Sequence, residues 1–139
     1  MKKEYRELVK AAQIAKISAY SPFSKFRVGA ALLTTDGTIF TGCNIENSSY
    51  GLTICAERVA IFKAISSGAS KFKAIAVVSD DFGFTPPCGA CRQVLLELAG
   101  DIDFVMVNSK NRSRVLKITS LLTFAFTKKN LMRSLELKK

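Results

Sequence analysis

The sequence predicts an α/β fold: a three-layer α/β/α sandwich on a mixed, mainly parallel sheet of about five strands. Three observations predict it. Apolar β-branched runs alternate with helix-periodic stretches through the middle of the chain, an order that favours parallel strands with helices packed on them. A hairpin pattern around Asp36-Gly37 supplies the antiparallel part. The chain has 139 residues, one domain's worth, with no repeat or linker inside it, so a single domain over 1–139 is expected.

The elements follow in order. Residues 3–20 set Tyr5, Leu8, Val9, Ala12, Ile14, Ala15 and Ile17 near helical spacing among charges, an amphipathic first helix. Ser21-Pro22 breaks it, because proline disfavours helix in the residue before it. Residues 26–33 and 38–43 read as paired strands, joined by Asp36-Gly37 in a tight turn whose central residues take positive φ. Residues 44–54 are polar and irregular, a functional loop or a connector. Residues 55–67 form a helix that Gly68 ends, and 73–79 a buried strand. After Pro86-Pro87 comes a helix over 89–99 with Gly100 as its stop. A strand over 102–108 and a short one over 115–118 follow. Thr127 then caps a basic helix carrying Leu131, Met132, Leu135 and Leu137.

Composition prunes the chemistry. There is no histidine, which excludes Ser-His-Asp and Cys-His nucleophilic machinery. A metal site must draw on Cys, Asp, Glu or backbone groups. Proton transfer near neutral pH falls to Glu, Asp, Lys, Cys or Tyr. The net charge of +10 is spread along the chain with concentrations at both ends, and no basic stripe is interleaved with aromatics. It reads as a solvated surface rather than a nucleic-acid footprint. No apolar run approaches the ~20 residues of a membrane span, and the N-terminus lacks the apolar segment of a secretory signal. A cytoplasmic protein with no membrane or nucleic-acid partner is expected.

In that setting Cys43, Cys55, Cys88 and Cys91 are poor candidates for structural disulfides. Cys88-Gly89-Ala90-Cys91 alone is ambiguous between zinc, a redox pair and ordinary buried cysteines. Cys55-Ala56-Glu57 also opens a helix, one strand earlier. Two helices that follow parallel strands can present their N-termini side by side, bringing Cys55 to Cys88 and Cys91. Three thiolates leave one tetrahedral position open, the mark of a catalytic zinc site. Helix N-termini favour the thiolate charge. Glu57, two residues past Cys55, is turned too far round for a fellow ligand and suits proton transfer instead. Zn²⁺ with three thiolates sums to −1, an excess that Arg58, one turn from Cys55, would offset by hydrogen bonding to the sulfurs. Cys43 fits no ligand spacing and reads as a small buried side chain.

The pattern Cys-x-Glu followed by Pro-Cys-x-x-Cys matches the signature of zinc deaminases of nucleoside bases. The chain resembles the cytidine deaminases, in their short, homotetrameric, three-cysteine form, over nearly its whole length. The resemblance is carried by Phe26-Arg27-Val28-Gly29-Ala30-Ala31-Leu32, Gly42-Cys43-Asn44-Ile45-Glu46-Asn47, Ser49-Tyr50-Gly51, Cys55-Ala56-Glu57-Arg58 and Pro87-Cys88-Gly89-Ala90-Cys91-Arg92-Gln93-Val94.

It implies one Zn²⁺ per chain on Cys55, Cys88 and Cys91, with Glu57 as the catalytic residue. It implies hydrolytic deamination of cytidine and 2′-deoxycytidine, in pyrimidine salvage. Phe26 is expected on the pyrimidine ring, Asn44 and Glu46 on the ribose hydroxyls, and the Ala56 backbone and Glu57 carboxyl on the base edge. Tyr50 is expected among the substrate contacts. Phe126 is expected to enter a neighbouring subunit's site in a homotetramer with shared active sites. The family usually has Pro where this chain has Thr123, which loosens the turn before Phe124-Ala125-Phe126 and makes Phe124 the rival aromatic. Two other readings share parts of this pattern: a deaminase of bases within nucleic acid or of another small aminopyrimidine, and a zinc-stabilised binding module. The ribose-reading pair argues against the first, and the lack of a fourth ligand against the second.

Overall fold

Period-two alternation of apolar side chains sets the layers, because successive residues of a strand face opposite sides of the sheet. The structure, a computed structural model, describes residues 1–138. In β1 (Val28–Thr34), Ala30 and Leu32 face one layer while Ala31 and Leu33 face the other. In β3 (Phe72–Ser79), Ile75 and Val77 oppose Ala74, Ala76 and Val78; in β4 (Asp103–Val107), Phe104 and Met106 oppose Val105 and Val107. Strands this apolar on both faces need a helix on each.

One face takes α1 (Lys3–Ile17) through Tyr5, Leu8, Val9 and Ala12. The other takes α2 (Ala56–Ser66) through Ala56, Ala60, Ile61 and Ala64, and α3 (Gly89–Ala99) through Leu95. The three-layer α/β/α sandwich stands as expected.

The sheet differs from expectation in one respect. Its order is β2-β1-β3-β4-β5, with β2 at Ile39–Cys43 and β5 at Ser113–Lys117. Only the β3–β4 pair is parallel; β1–β2, β1–β3 and β4–β5 are antiparallel. The sheet is therefore mixed and mostly antiparallel, not mainly parallel. Helix–strand alternation correctly signals crossovers, but it does not say which strands end up adjacent. The β2–α2–β3 crossover passes over β1, which lies between the two strands it joins. β2, β3 and β4 run the same way, so α2 and α3 start from the same edge of the sheet.

Smaller departures have local causes. The β1–β2 hairpin closes through a three-residue loop: Thr34 N donates to Thr38 O at 2.9 Å and Gly37 N to Thr34 O at 3.2 Å. Of Asp36 and Gly37 only the glycine has positive φ, 92°. That is a type I turn followed by a left-handed residue, not a two-residue primed turn. Helix α1 stops at Ile17, and Tyr20 instead lies beside the chain leaving β2, with Tyr20 N donating to Asn44 O at 3.0 Å. A single 3-10 turn (Tyr50–Leu52) interrupts the polar loop. β5 begins two residues before the expected start, and a short α4 (Ile118–Leu121) follows it. α5 (Lys128–Glu136) starts where Thr127 N donates to Asn130 Oδ1 at 2.8 Å. No helix among the described residues is long and apolar enough to cross a membrane.

Candidate metal centre and active site

Gly42 seats the first turn of α2. A Cβ there would fall 2.4 Å from Ala56 O and 2.6 Å from Ala60 N, so only glycine lets the helix lie this close on β2. Cys55 is the residue flanking the helix, in extended conformation, and Cys88 holds the same position on α3. Cys91 lies one turn into α3 and is fully buried; its N–H donates to Cys88 Sγ at 3.5 Å. The three sulfurs all lie within 4.8 Å of one another, and Cys55 Sγ and Cys88 Sγ are 3.7 Å apart.

That spacing is far beyond a disulfide's ~2.05 Å. It agrees with the ~3.8 Å expected between two sulfurs at tetrahedral positions about 2.3 Å from one zinc. The donor set fits a single thiophilic cation with one position left for a further group. Cys43 ends β2 half-buried and outside the cluster.

The electrostatics match. Arg58 Nη2 donates to Cys55 Sγ at 3.3 Å, and Arg58 Nε is buried without a partner. A guanidinium placed so is costly unless its surroundings carry negative charge, which a thiolate cluster provides. Hydrogen bonding from Cys91, then from Arg58 and Cys88, draws the Cys55 pKa down to about 5 against the desolvation that opposes it. The Arg58 guanidinium is held charged, chiefly by its hydrogen bond to Cys55.

Glu57 is the second residue of α2 and only 4% exposed. Its Oε2 accepts a hydrogen bond from Cys91 Sγ at 3.1 Å. Burial pushes its pKa up, partly opposed by that hydrogen bond. A buried carboxyl whose pKa is raised is suited to both taking and giving a proton.

A cavity of about 250 Å³ opens over the cluster. Cys55, Ala56, Glu57 and Cys88 form its floor, and Phe26, Asn44 and Glu46 lie in its walls. Of the residues singled out from sequence, the structure brings these seven to one space. Cys91 and Arg58 sit behind the floor in contact with it. Tyr50 is 75% exposed and lines a neighbouring hollow instead, with its ring edge-on to Phe23 at 5.9 Å. Phe126 is 64% exposed and does not line its own chain's cavity.

Asn44 and Glu46 have a second occupation. Asn44 Oδ1 accepts from Val28 N and its Nδ2 donates to Phe26 O, both at 2.8 Å. Glu46 accepts from Phe23 N at 2.9 Å, from Ser24 N at 3.1 Å and from the Ser24 hydroxyl. The Ser24 hydroxyl is the main cause of its lowered pKa. Together they hold loop 21–27, in which Lys25 has a φ of 60°. Sequence reasoning missed Ser24, Thr53, Thr85 and Pro86 in the cavity lining and Phe23 in the neighbouring hollow. It also missed Asp80, whose carboxylate ties Lys16 at 2.7 Å and Arg27 at 3.0 Å beside Phe26. Ser21-Pro22 marked only a break in a helix. An Asp just past a strand end, whose cationic partners lie 53 and 64 residues away, carries no signal.

Comparison with known proteins adds to this geometry. Residues 2–108 match the family model described as cytidine and deoxycytidylate deaminase zinc-binding region. A cytidine deaminase of Sporosarcina psychrophila is 48% identical over 134 residues, covering 96% of this chain and 98% of that protein. One from Halalkalibacterium halodurans is 50% identical over 121 residues, covering 86% of this chain and 92% of that protein. Among solved structures, a cytidine deaminase from Burkholderia pseudomallei superposes with a TM-score of 0.86 at 47% identity, over 91% of this chain and all (100%) of that one. One from Mycobacterium tuberculosis gives a TM-score of 0.77 at 40% identity, over 90% of this chain and 98% of that one.

Proposed function

Since the chain belongs to the cytidine and deoxycytidylate deaminase zinc-binding family, we propose that it hydrolyses free cytidine and 2′-deoxycytidine to uridine and 2′-deoxyuridine with release of ammonia, in pyrimidine salvage in the cytoplasm. The observation that carries this reading is the convergence of Cys55, Cys88 and Cys91 beside the buried Glu57, at the floor of a cavity walled by Phe26.

The three thiolates would hold one Zn²⁺ per chain. Zinc bound there supplies the acidification of water that makes a nucleophile available near neutral pH. The chain's own residues do the rest. Glu57 takes a proton at a carboxylate oxygen and delivers it to the ring nitrogen beside the amino-bearing carbon. A second transfer through the same carboxyl goes to the departing amino group, which leaves as ammonia while the ring keeps the oxygen of water. The Ala56 backbone and Glu57 read the base edge. Phe26 packs on the ring, and Tyr50 borders the approach.

Asn44 and Glu46 contact the ribose hydroxyls with the hydrogen-bonding capacity left after holding loop 21–27. That pairing favours a free nucleoside over a base within nucleic acid. Arg58 neutralises part of the thiolate charge. The chain assembles as a homotetramer in which Phe126 enters the neighbouring cavity.

Ammonia release from cytidine by the purified, zinc-loaded protein tests the activity; a fully metallated protein that releases none rejects it. Cys88→Ala should lose zinc by elemental analysis while Cys43→Ala keeps it, and undiminished zinc in Cys88→Ala would remove this site.

A further inference from the structure

Three backbone carbonyls from outside α3 converge on two consecutive side chains of that helix. Arg92 Nε donates to Pro87 O at 2.8 Å, and Arg92 Nη1 donates to Leu121 O at 2.7 Å. Gln93 Nε2 donates to Phe126 O at 2.9 Å. Pro87 immediately precedes Cys88, and Leu121 is the last residue of α4. From these contacts we infer that Arg92 and Gln93 are positioning residues that fix the Phe126-bearing segment 121–126 to the helix start carrying Cys88 and Cys91.

The chemistry supports a rigid link. A guanidinium is a planar fork, so two of its N–H groups donating to two carbonyls set the distance and angle between them. One fork therefore relates the ligand loop to the end of α4. Gln93, the next residue on the helix, grips the far end of the same segment. Between the two grips the chain has no regular structure: Leu122 is extended and Phe124 has a φ of 50°. Segment 121–126 is thus anchored at both ends to one helix turn while the Phe126 ring stays mostly exposed. Resting on the reading that Phe126 completes a neighbour's cavity, the consequence is that each chain's metal-bearing helix places the wall of another chain's site.

The test uses the zinc-loaded protein and four variants: Gln93→Ala, Arg92→Ala, Arg92→Lys and Phe126→Ala. Zinc content, KM and kcat for cytidine, zinc loss to a chelator, and amide hydrogen exchange over residues 121–126 are measured. Gln93→Ala should keep its zinc and kcat, raise KM about fivefold, as expected for one lost hydrogen bond, and speed exchange in 121–126. Arg92→Ala should do the same and also release zinc faster. Arg92→Lys, which keeps the charge but not the fork, should recover zinc retention more than KM. Unchanged KM and unchanged exchange in Gln93→Ala, beside a raised KM in Phe126→Ala, would overturn the inference. A normal KM in Phe126→Ala would instead reject the shared-site reading, and exchange in 121–126 would still decide whether the two residues anchor the segment.

Discussion

The sulfur cluster and the stretch after β5 are opposites in how they are held. Cys91, Glu57 and Ala56 are buried by their own chain, and Cys91 donates to Glu57 within it. Among the described residues after β5, only Ile118 is buried. Phe124 is fully exposed, and Phe126, Leu131, Met132 and Leu135 show about half their surface or more. The first region is tied together by hydrogen bonds within one chain. The second carries backbone anchors and exposed apolar side chains, the pattern of a contact surface. In the proposed assembly chemistry and enclosure are thus divided: one chain supplies reactive groups, and another chain's Phe126 supplies the enclosing wall.

Two substitutions sharpen that division. Glu57→Gln should keep zinc and the assembled state and lose roughly 10²–10⁴-fold in kcat, because an amide cannot shuttle protons. Near-normal turnover would assign proton transfer to another group. Phe126→Ala should keep zinc and leave kcat close to normal while raising KM about tenfold or more, the loss expected of a central aromatic anchor. Mixing Phe126→Ala with Glu57→Gln chains should restore some normal sites if the wall is shared. No recovery on mixing and re-assembly would break the comparison.

The same division explains what the sequence revealed. The cluster was legible because its parts are local: a cysteine before each of two helices, a glutamate two residues on, and a Cys-x-x-Cys spacing that one helix turn requires. Gly42 and Gly29 could be read only as motif letters; their reason, backbone passing within van der Waals distance of α2 and α1, exists only in three dimensions. The parallel character of the sheet was overestimated because β1 inserts between β2 and β3. Tertiary pairing decided that, and periodicity does not encode it. Arg92 and Gln93 lay inside a recognised block, yet their partners are 29 and 33 residues away and are carbonyls, which have no signature.

Asp80 tests the internal side of the comparison at lower amplitude. Its carboxylate, 31% exposed, is drawn down from 3.8 to about 2, first by the Arg27 guanidinium and then by Lys16. A folded pKa below the unfolded one stabilises above the unfolded value and is lost as pH falls through the folded value. The stability gap between wild type and Asp80→Asn, roughly 1 kcal/mol for two partly exposed pairs, should be constant from neutrality to about pH 4. It should close toward pH 2. Denaturant titrations across that range check it, and a gap that persists at pH 2 would mean the two ion pairs are not its source.

The smallest effect belongs to Phe124, and it separates the two aromatics. A bulky residue at a φ of 50° lies in the left-handed region, where a Cβ costs about 1–2 kcal/mol. Its ring is fully exposed and buries nothing within its own chain. Asparagine tolerates that conformation because its short side chain can bond locally. Phe124→Asn should therefore raise the melting temperature by a few degrees or leave it unchanged. KM and assembly should stay as in wild type. The strain would then be a local cost of the turn, and Phe126 alone would serve the neighbouring site. The opposite pattern, a raised KM and weakened assembly in Phe124→Asn beside a normal Phe126→Ala, would show that the strain aims Phe124 at the partner and would transfer the enclosing role to it.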